Sequence, residues 1–403
     1  MPNETKSRAS LAANLLLLAG TFIVFFIVME VALRVTVAAR KTVWGPEQAR
    51  GHFGEYDSLL GWKNTPGARG SLETSEFRTS VFINSFGNRD PEMPAERTPG
   101  RARVAFLGDS FTWGYGVGDS ATYSARLRAL RPDVEFINLG MVGYGTDQEL
   151  LRWGQVAERW KPDLLVIQFT QNDVGNNAMM ADRDFPKPKF VLDADTLRLT
   201  NVPVPKKEQW LTKFTIEPER GHSTGAGGLR GAIAAAKNVL RNLQTYQFLQ
   251  QRYFDLLVRL EIRRPGLFAD AYTPADERDW KLTFALLDRI VSEARAAGIR
   301  VAVVTVPICL QIRYKSWTKP GDLVGKFCAE RQIPYLDLLP PFREIPRAER
   351  LFFPKDGHWT EGGHDAAAKM IAGFLAREGL VPSSPAESGA GGATGTSGAD
   401  AKE

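Results

Sequence analysis

The chain is 403 residues long, 43% hydrophobic and 24% charged, with a formal charge of +5 and a pI near 9.1. That balance belongs to a globular protein able to bury a sizeable core, and it excludes a largely disordered or collagen-like chain. Lys and Arg are scattered with no run of five like charges, so nothing indicates a nucleic-acid-binding stripe, and weak attraction to an anionic surface is all the charge allows.

Residues 11–29 are apolar except for Asn14, Gly20 and Thr21. As a helix these residues span about 28 Å, close to the hydrocarbon thickness of a bilayer. Glu30 and Arg34 follow, four apart, and can pair on one helix face at the membrane interface. A cleaved leader has a shorter apolar region, about 7–15 residues, so the expectation is an uncleaved anchor over residues 1–40. Lys6 and Arg8 precede the apolar run and Arg40 and Lys41 follow it, so charge alone barely sets its orientation.

Residues 41–100 carry many turn formers and little periodicity. They read as a linker and accessory segment, with 57–62 and 84–89 packing on the domain that follows. A βα rhythm begins at residue 101. A β-rich run over 103–107 ends at Gly108, 123–130 reads as a helix, and 134–139 reads as a second strand closed by Gly140. Residues 146–160 form a helix with Thr146 as its N-cap and Leu150, Leu151 and Val156 on one side, and 164–169 form a third strand. Near-continuous apolar strands between helices predict an α/β fold with a parallel sheet covered on both faces.

Residues 175–272 break the rhythm and read as an insertion within a domain over 101–381. It holds a hairpin over 190–199 around Asp193-Ala194-Asp195, a Gly-rich mobile loop over 222–231 and a long helix over 232–260. An amphipathic helix over 276–297 stops at Gly298, strands follow at 300–306 and 334–338, and a terminal helix covers 364–377. From Pro382 the chain is mostly Ser, Gly, Ala and Thr, which predicts a disordered tail over 382–403. Cys309 and Cys328 fit no zinc or redox motif; two buried thiols, or one disulfide outside the cytoplasm, both stay open.

The chemistry lies just beyond the strands. The first is followed by Gly108-Asp109-Ser110, the second by Gly140-Met141-Val142-Gly143, the third by Thr170-Gln171-Asn172-Asp173, and Asp356-Gly357-His358 precedes the last helix. In an open parallel sheet the loops at the carboxyl ends of the strands line one crevice, so these four segments are expected to converge. A serine hydroxyl needs a base to take its proton; His358 can be that base and Asp356 can orient it. The backbone N–H groups of Ser110 and Gly143 and the side-chain amide of Asn172 can bind the oxyanion formed on attack. His358 is preferred over His52, His222 and His364 because it alone follows Asp at short spacing in a loop at the expected place. Asp356, His358 and His364 could ligate a divalent ion, but the three do not fall at the spacing of a metal motif, so no metal is expected. Asp173 reads as a structural hydrogen-bonder. Phe111, Trp113 and Tyr115 either line a sugar or acyl site or simply pack the loop.

This pattern resembles the SGNH, or GDSL-type, hydrolase superfamily, with its Gly-Asp-Ser segment, glycine, Gly-x-Asn-Asp segment and Asp-x-x-His segment. The likeness covers roughly 103–173 and 300–378. It implies a flavodoxin-like three-layer α/β/α sandwich, a triad of Ser110, His358 and Asp356, oxyanion donors from Ser110, Gly143 and Asn172, and no cofactor. Membrane-tethered members of the superfamily often remove or add O-acetyl groups on envelope polysaccharides. The resemblance therefore implies an acylated carbohydrate or other small ester as substrate, and a catalytic domain outside the cytoplasm. Two departures stand out. Thr170 takes the place of the usual glycine, and the acid and base are spaced Asp-x-His, as in the alginate-acetylation branch. In an extended segment residues i and i+2 share a side, which would let Asp356 reach His358. An esterase, an acyltransferase using the same triad, and a catalytically inactive envelope binding protein are the three readings left open.

Overall fold

The structure, a computed structural model, describes residues 3–40, 45–209, 243–260 and 262–382. The chain divides into two units, Met1–Trp44 with Glu217–Pro265, and Gly45–Ile216 with Gly266–Glu403. The expected Gly-rich loop over 222–231, residues 232–242 of the expected long helix and the tail beyond 382 lie outside the described residues.

In the larger unit the apolar runs pair as five parallel strands. In chain order these are Ala102–Leu107, Val134–Asn138, Leu164–Phe169, Arg300–Thr305 and Tyr335–Asp337. Across the sheet their order is 2-1-3-4-5, so the winding direction reverses between the first and third strands. The period-2 alternation of strand side chains sends each run to two cores. Ala105, Leu107, Ile137, Leu165, Ile167, Val301 and Val303 pack with the helices Thr146–Trp160, Pro274–Ala296 and Lys319–Glu330. Val104, Phe106, Phe136, Val166, Ala302 and Val304 pack with Tyr123–Leu130 and Glu361–Arg377. The result is the expected three-layer α/β/α sandwich with its parallel sheet covered on both faces. Full burial of Leu286, Leu287 and Ile290 stabilises it by about 1.5–3 kcal/mol per side chain.

Helix boundaries differ from expectation where capping decides them. The helix expected at 276 starts at Pro274 because Thr273 caps it: Thr273 Oγ1 accepts from the Asp276 N–H at 3.2 Å, and Asp276 Oδ2 accepts from the Thr273 N–H at 2.8 Å. Thr146 is not the N-cap of Thr146–Trp160; Gly145 holds that position, and the N–H of Asp147 is satisfied by Asn177 Oδ1 at 3.0 Å instead. Residues 45–82, which showed little periodicity, form a helix Gly45–Phe53 and two hairpins, Gly54–Asp57 with Gly61–Asn64 and Arg69–Glu73 with Arg78–Phe82. Strands of four or five residues are too short to print a clear alternation. Their apolar residues join the sheet loops: Phe53, Leu72, Val81 and Ile83 share a core with Trp113, Tyr115 and Val142.

The block at 175–272 is split between the two units. The expected hairpin is present as Lys189–Asp193 with Thr196–Thr200 in the larger unit. The described part of the expected long helix, Gln244–Arg259, belongs to the smaller unit together with helix Asn3–Arg40. Residues Ala13–Thr36 of the latter are long and apolar enough to cross a membrane. Cys309 and Cys328 are both free thiols.

Arg103 shows how the accessory segment is fastened to the sheet. It is 1% exposed. It donates from Nε to Glu135 Oε2 at 2.7 Å, from Nη1 to the carbonyls of Ala95 and Trp160, and from Nη2 to that of Glu96. Replacing it leaves Glu135 without its cation and several carbonyls without donors. Arg103→Met is expected to lower the unfolding free energy by about 3–5 kcal/mol, read as an earlier midpoint in urea denaturation; a loss under about 1 kcal/mol would show the network to be dispensable.

Candidate active site

The first sheet strand ends at Leu107, and the chain turns at Gly108-Asp109 into a one-turn helix, Ser110–Trp113. Asp109 caps that turn, its Oδ1 accepting from the Phe111 N–H at 2.9 Å. Ser110 is therefore the first residue of the helix and not its cap, which leaves its hydroxyl available. Ser110 Oγ lies 2.7 Å from Nε2 of His358. Beneath it, Gln168 Oε1 accepts from the Asp109 N–H at 3.2 Å and from Thr112 Oγ1 at 2.7 Å, tying the third strand to the first loop. Arg89, fully buried, braces the far end by donating to the carbonyls of Gly114 at 2.5 Å and Val117 at 2.6 Å, and from Nε to Asp119 at 3.0 Å.

His358 and Asp356 sit on a tight turn closed by the antiparallel bridge of Phe352 with Trp359. The Phe353 N–H donates to the His358 carbonyl, and the Gly357 N–H to that of Phe353. His358 Nδ1 lies 2.5 Å from Asp356 Oδ1. The segment is not the extended one expected. Gly357 has φ +87°, a left-handed conformation that folds Asp356 back under the imidazole. Burial disfavours the Asp356 carboxylate, but its hydrogen bonds with His358 and the attraction of that ring outweigh this and hold its carboxyl below the usual range. Glu76, from the accessory hairpin, secures the turn: its carboxylate accepts from the N–H groups of Lys355 at 3.0 Å and Asp356 at 2.7 Å. The rings of Phe111 and Tyr115 flank His358 with centroids 5.0 and 4.7 Å away, while Trp113 is buried and donates from Nε1 to Asn64.

Gly143 and Asn172 line the same cleft as Ser110 and His358, a cavity of about 560 Å³. Gly143 has φ +79°, a conformation that calls for glycine, and a Cβ there would crowd Asp182 Oδ2 at 3.0 Å and Arg50 Nη1 at 3.1 Å. Asn172 opens the helix Asn172–Ala178, with Nδ2 3.5 Å from Asp109 Oδ2. Asp173 holds the loop by accepting from the Thr170 N–H at 3.0 Å, and Thr170 uses its hydroxyl to accept from Gln168 Nε2 at 2.6 Å. A threonine thus does structural service where the superfamily pattern has glycine. Behind this loop Glu149 and Asp173 are fully buried; desolvation, reinforced by the neighbouring carboxylates, pushes both well up. Lys187, also buried, pairs with Asp147 at 2.7 Å and donates to the Asn176 carbonyl.

All five sequence-picked residues thus border one cleft. The sequence reading missed the other side of it. Arg50, Asp182, Arg183, Ile308, Leu310 and Lys355 are among the residues that line it, and Arg50 pairs with Asp182 at 2.8 Å. These residues carry no motif and come from the accessory helix, the insertion and later loops, so no local signal marks them. His364 is buried and accepts from the Tyr123 N–H through Nδ1 at 3.2 Å. Among the described residues no group of three potential ligands gathers.

The family model for the GDSL-like lipase/acylhydrolase family matches residues 106–366. No curated protein matches the chain in sequence. Among solved structures it is similar to a lipase/acylhydrolase from Enterococcus faecalis, with 13% identity over 70% of this chain and 97% of that one and a TM-score of 0.37. It is also similar to a psychrotrophic esterase from Pseudoalteromonas, with 12% identity over 68% and 98% of the two chains and a TM-score of 0.35. An acetyl xylan esterase gives 13% identity over 68% and 99%, with a TM-score of 0.36.

The buried ring of His364 makes the fold sensitive to acid. Burial, aided by repulsion from nearby cationic groups, lowers its pKa from 6.5 to about 3. The unfolded chain takes up this proton near 6.5 and the folded one only near 3, so the unfolded state binds more protons throughout that window and acidification favours unfolding. His364→Asn keeps an acceptor for Tyr123 but does not titrate. The wild type is expected to lose stability relative to this variant as pH falls from 6.5 toward 4, by up to about 1.4 kcal/mol per pH unit. Urea midpoints across that range test it; parallel pH profiles for the two proteins would contradict the assignment.

Proposed function

Because the chain belongs to the GDSL-like lipase/acylhydrolase family, and so is an ester-bond hydrolase, we propose that it is a membrane-anchored serine esterase that removes O-acyl groups, O-acetyl above all, from carbohydrate outside the cytoplasm. The observation that carries the reading is the continuous hydrogen-bonded chain from Ser110 through His358 to Asp356, 2.7 and 2.5 Å long in its two links. It opens into a cleft that also holds Gly143 and Asn172.

In this reading His358 Nε2 takes the proton of Ser110 as Oγ attacks the ester carbonyl, and Asp356 holds the ring and stabilises the imidazolium. The oxyanion is received by the N–H groups of Ser110 and Gly143 and by Asn172 Nδ2. Collapse of the tetrahedral intermediate breaks the ester bond, and His358 returns the proton to the departing alcohol, leaving Ser110 acylated. Water, deprotonated by His358, then attacks the acyl-enzyme; its breakdown returns the proton to Oγ and releases the carboxylic acid. The lining offers polar partners to a hydroxyl-bearing substrate in Arg50, Asn176, Asp182, Arg183 and Lys355, beside an apolar surface from Phe111, Val142, Ile308, Leu310 and Pro354 that an acyl group can meet. Residues Ala13–Thr36 support anchoring by length and composition.

Ser110→Ala is expected to cut acetate release from a chromogenic acetate ester about a thousandfold or more while circular dichroism stays unchanged. Asp356→Asn should cost on the order of 10²–10⁴ in kcat, and Asn172→Ala about 10²–10³. Full activity in the serine variant would sink the assignment. Supplying acetylated donor with and without polysaccharide acceptor then assigns the second step: free acetate supports hydrolysis, whereas acetate carried to the acceptor supports transfer.

A further inference from the structure

Outside the apolar N-terminal helix, the large exposed apolar side chains of the described residues concentrate on and just after one other element, the helix Gln244–Arg259. Leu249, Tyr253, Leu256 and Leu260 are 49%, 65%, 51% and 59% exposed. Their spacing of i, i+4, i+7 and i+11 places them in one stripe along the helix. Gln244, Gln247, Arg252, Asp255 and Arg259 fall on the rest of its circumference. A helix in a water-filled setting ordinarily turns such a stripe inward.

This helix is fastened to the N-terminal one. Its flanking residue Leu243 provides no side-chain cap, and the N–H groups that a cap would satisfy donate across to Glu30: Gln244 to Oε1 at 3.0 Å and Thr245 to Oε2 at 2.8 Å. Arg34 completes the cluster, donating from Nε to the same carboxylate at 2.7 Å. Glu30 immediately follows the apolar run at 11–29. Glu30 also lies in the last turns of the membrane-spanning segment Ala13–Thr36, so the first turn of the second helix is held toward the end of that segment, near the headgroups if the first helix spans a bilayer. The polar residues forbid full insertion, while the stripe, its tyrosine and the flanking arginines suit a helix lying in the interface.

We propose that Gln244–Arg259 is an interfacial helix whose Leu249–Tyr253–Leu256–Leu260 stripe lies in the lipid of the membrane crossed by the N-terminal helix, with Glu30 as the joint between the two. The proposal rests on the anchored reading above and adds that the anchor is a folded pair, with a carboxylate bound into the later helix. It makes the N-terminal segment a retained part of the fold and not a removable leader.

The test uses the full chain reconstituted into phosphatidylcholine vesicles containing a phosphatidylcholine with a photoreactive diazirine beside its acyl carbonyl, with lipid adducts mapped by mass spectrometry after irradiation. Adducts are expected both on the 11–29 run and on peptides covering 248–260. Leu256→Gln combined with Leu260→Gln should lose most adducts on the second set and keep those on the first, with esterase activity unchanged. Glu30→Ala should do the same, and Glu30→Gln, which keeps one acceptor, should recover part of the labelling. Adducts on the first helix alone would overturn the interfacial helix and leave the anchor standing. Adducts on neither would remove the anchor as well. Labelling of 248–260 that survives the double leucine variant would show that the stripe is not what meets lipid.

Discussion

A buried carboxylate, Asp109, is the constraint around which the cleft is organised. It is 1% exposed, and burial pushes its carboxyl up against the pull of every group it holds. One oxygen caps the Ser110–Trp113 turn through the Phe111 N–H, and the other faces Asn172 Nδ2, while its own backbone N–H reaches Gln168. A group so placed must be satisfied from several directions at once. Doing so brings the ends of the first and third strands together at the point where the sheet reverses its winding. Gln168 and Thr170 extend the network sideways, and Asp173 locks the loop that presents Asn172. The position of Ser110 therefore follows from a polar network beneath it as much as from the strand that leads into it.

This arrangement carries a standing cost. The carboxyls of Glu149 and Asp173 are pushed well up behind the site by desolvation and by neighbouring carboxylates, whereas burial lowers the imidazole of His364. The two demands have opposite signs. A buried acid kept neutral loses folding free energy as pH rises above its unfolded value, and a buried imidazole kept neutral loses it as pH falls below its own. The fold is thus confined from both sides, which is the usual consequence of building a polar site inside a sheet protein and not on its surface.

What was legible in the sequence divides along physical lines. The strands at 102–107 and 164–169 were readable because a sheet buried on both faces needs near-continuous apolar runs, here interrupted only by Arg103 and Gln168. The convergence of Ser110, Gly143, Asn172 and His358 was readable because strand ends in a parallel sheet share one edge. The accessory hairpins were not, since four- or five-residue strands leave no measurable period. Glu76 was invisible for another reason: its contact with the N–H of Asp356 joins residues 280 apart through a backbone group that has no sequence signature. The Asp356–His358 pairing was expected for the wrong reason. An extended segment was invoked, but a left-handed glycine makes the turn, and only a residue without Cβ takes φ +87° at little strain.

The same turn bears on where an acyl group would go. The Asp356–His358 loop is held by Glu76 from the accessory hairpin, and the opposite wall is built by Arg50 and Asp182 from the accessory helix and the insertion. The sheet thus supplies the loops of the proposed nucleophile and oxyanion donors, while the accessory segment and the insertion supply the walls. Whether an acyl-enzyme meets water or a sugar hydroxyl depends on how those walls admit solvent, since the proton transfers are identical in the two cases. The features that separate an esterase from a transferase would then lie in Arg50, Asp182, Arg183 and Lys355 and not in the triad, and these are the positions at which sequence motifs are silent.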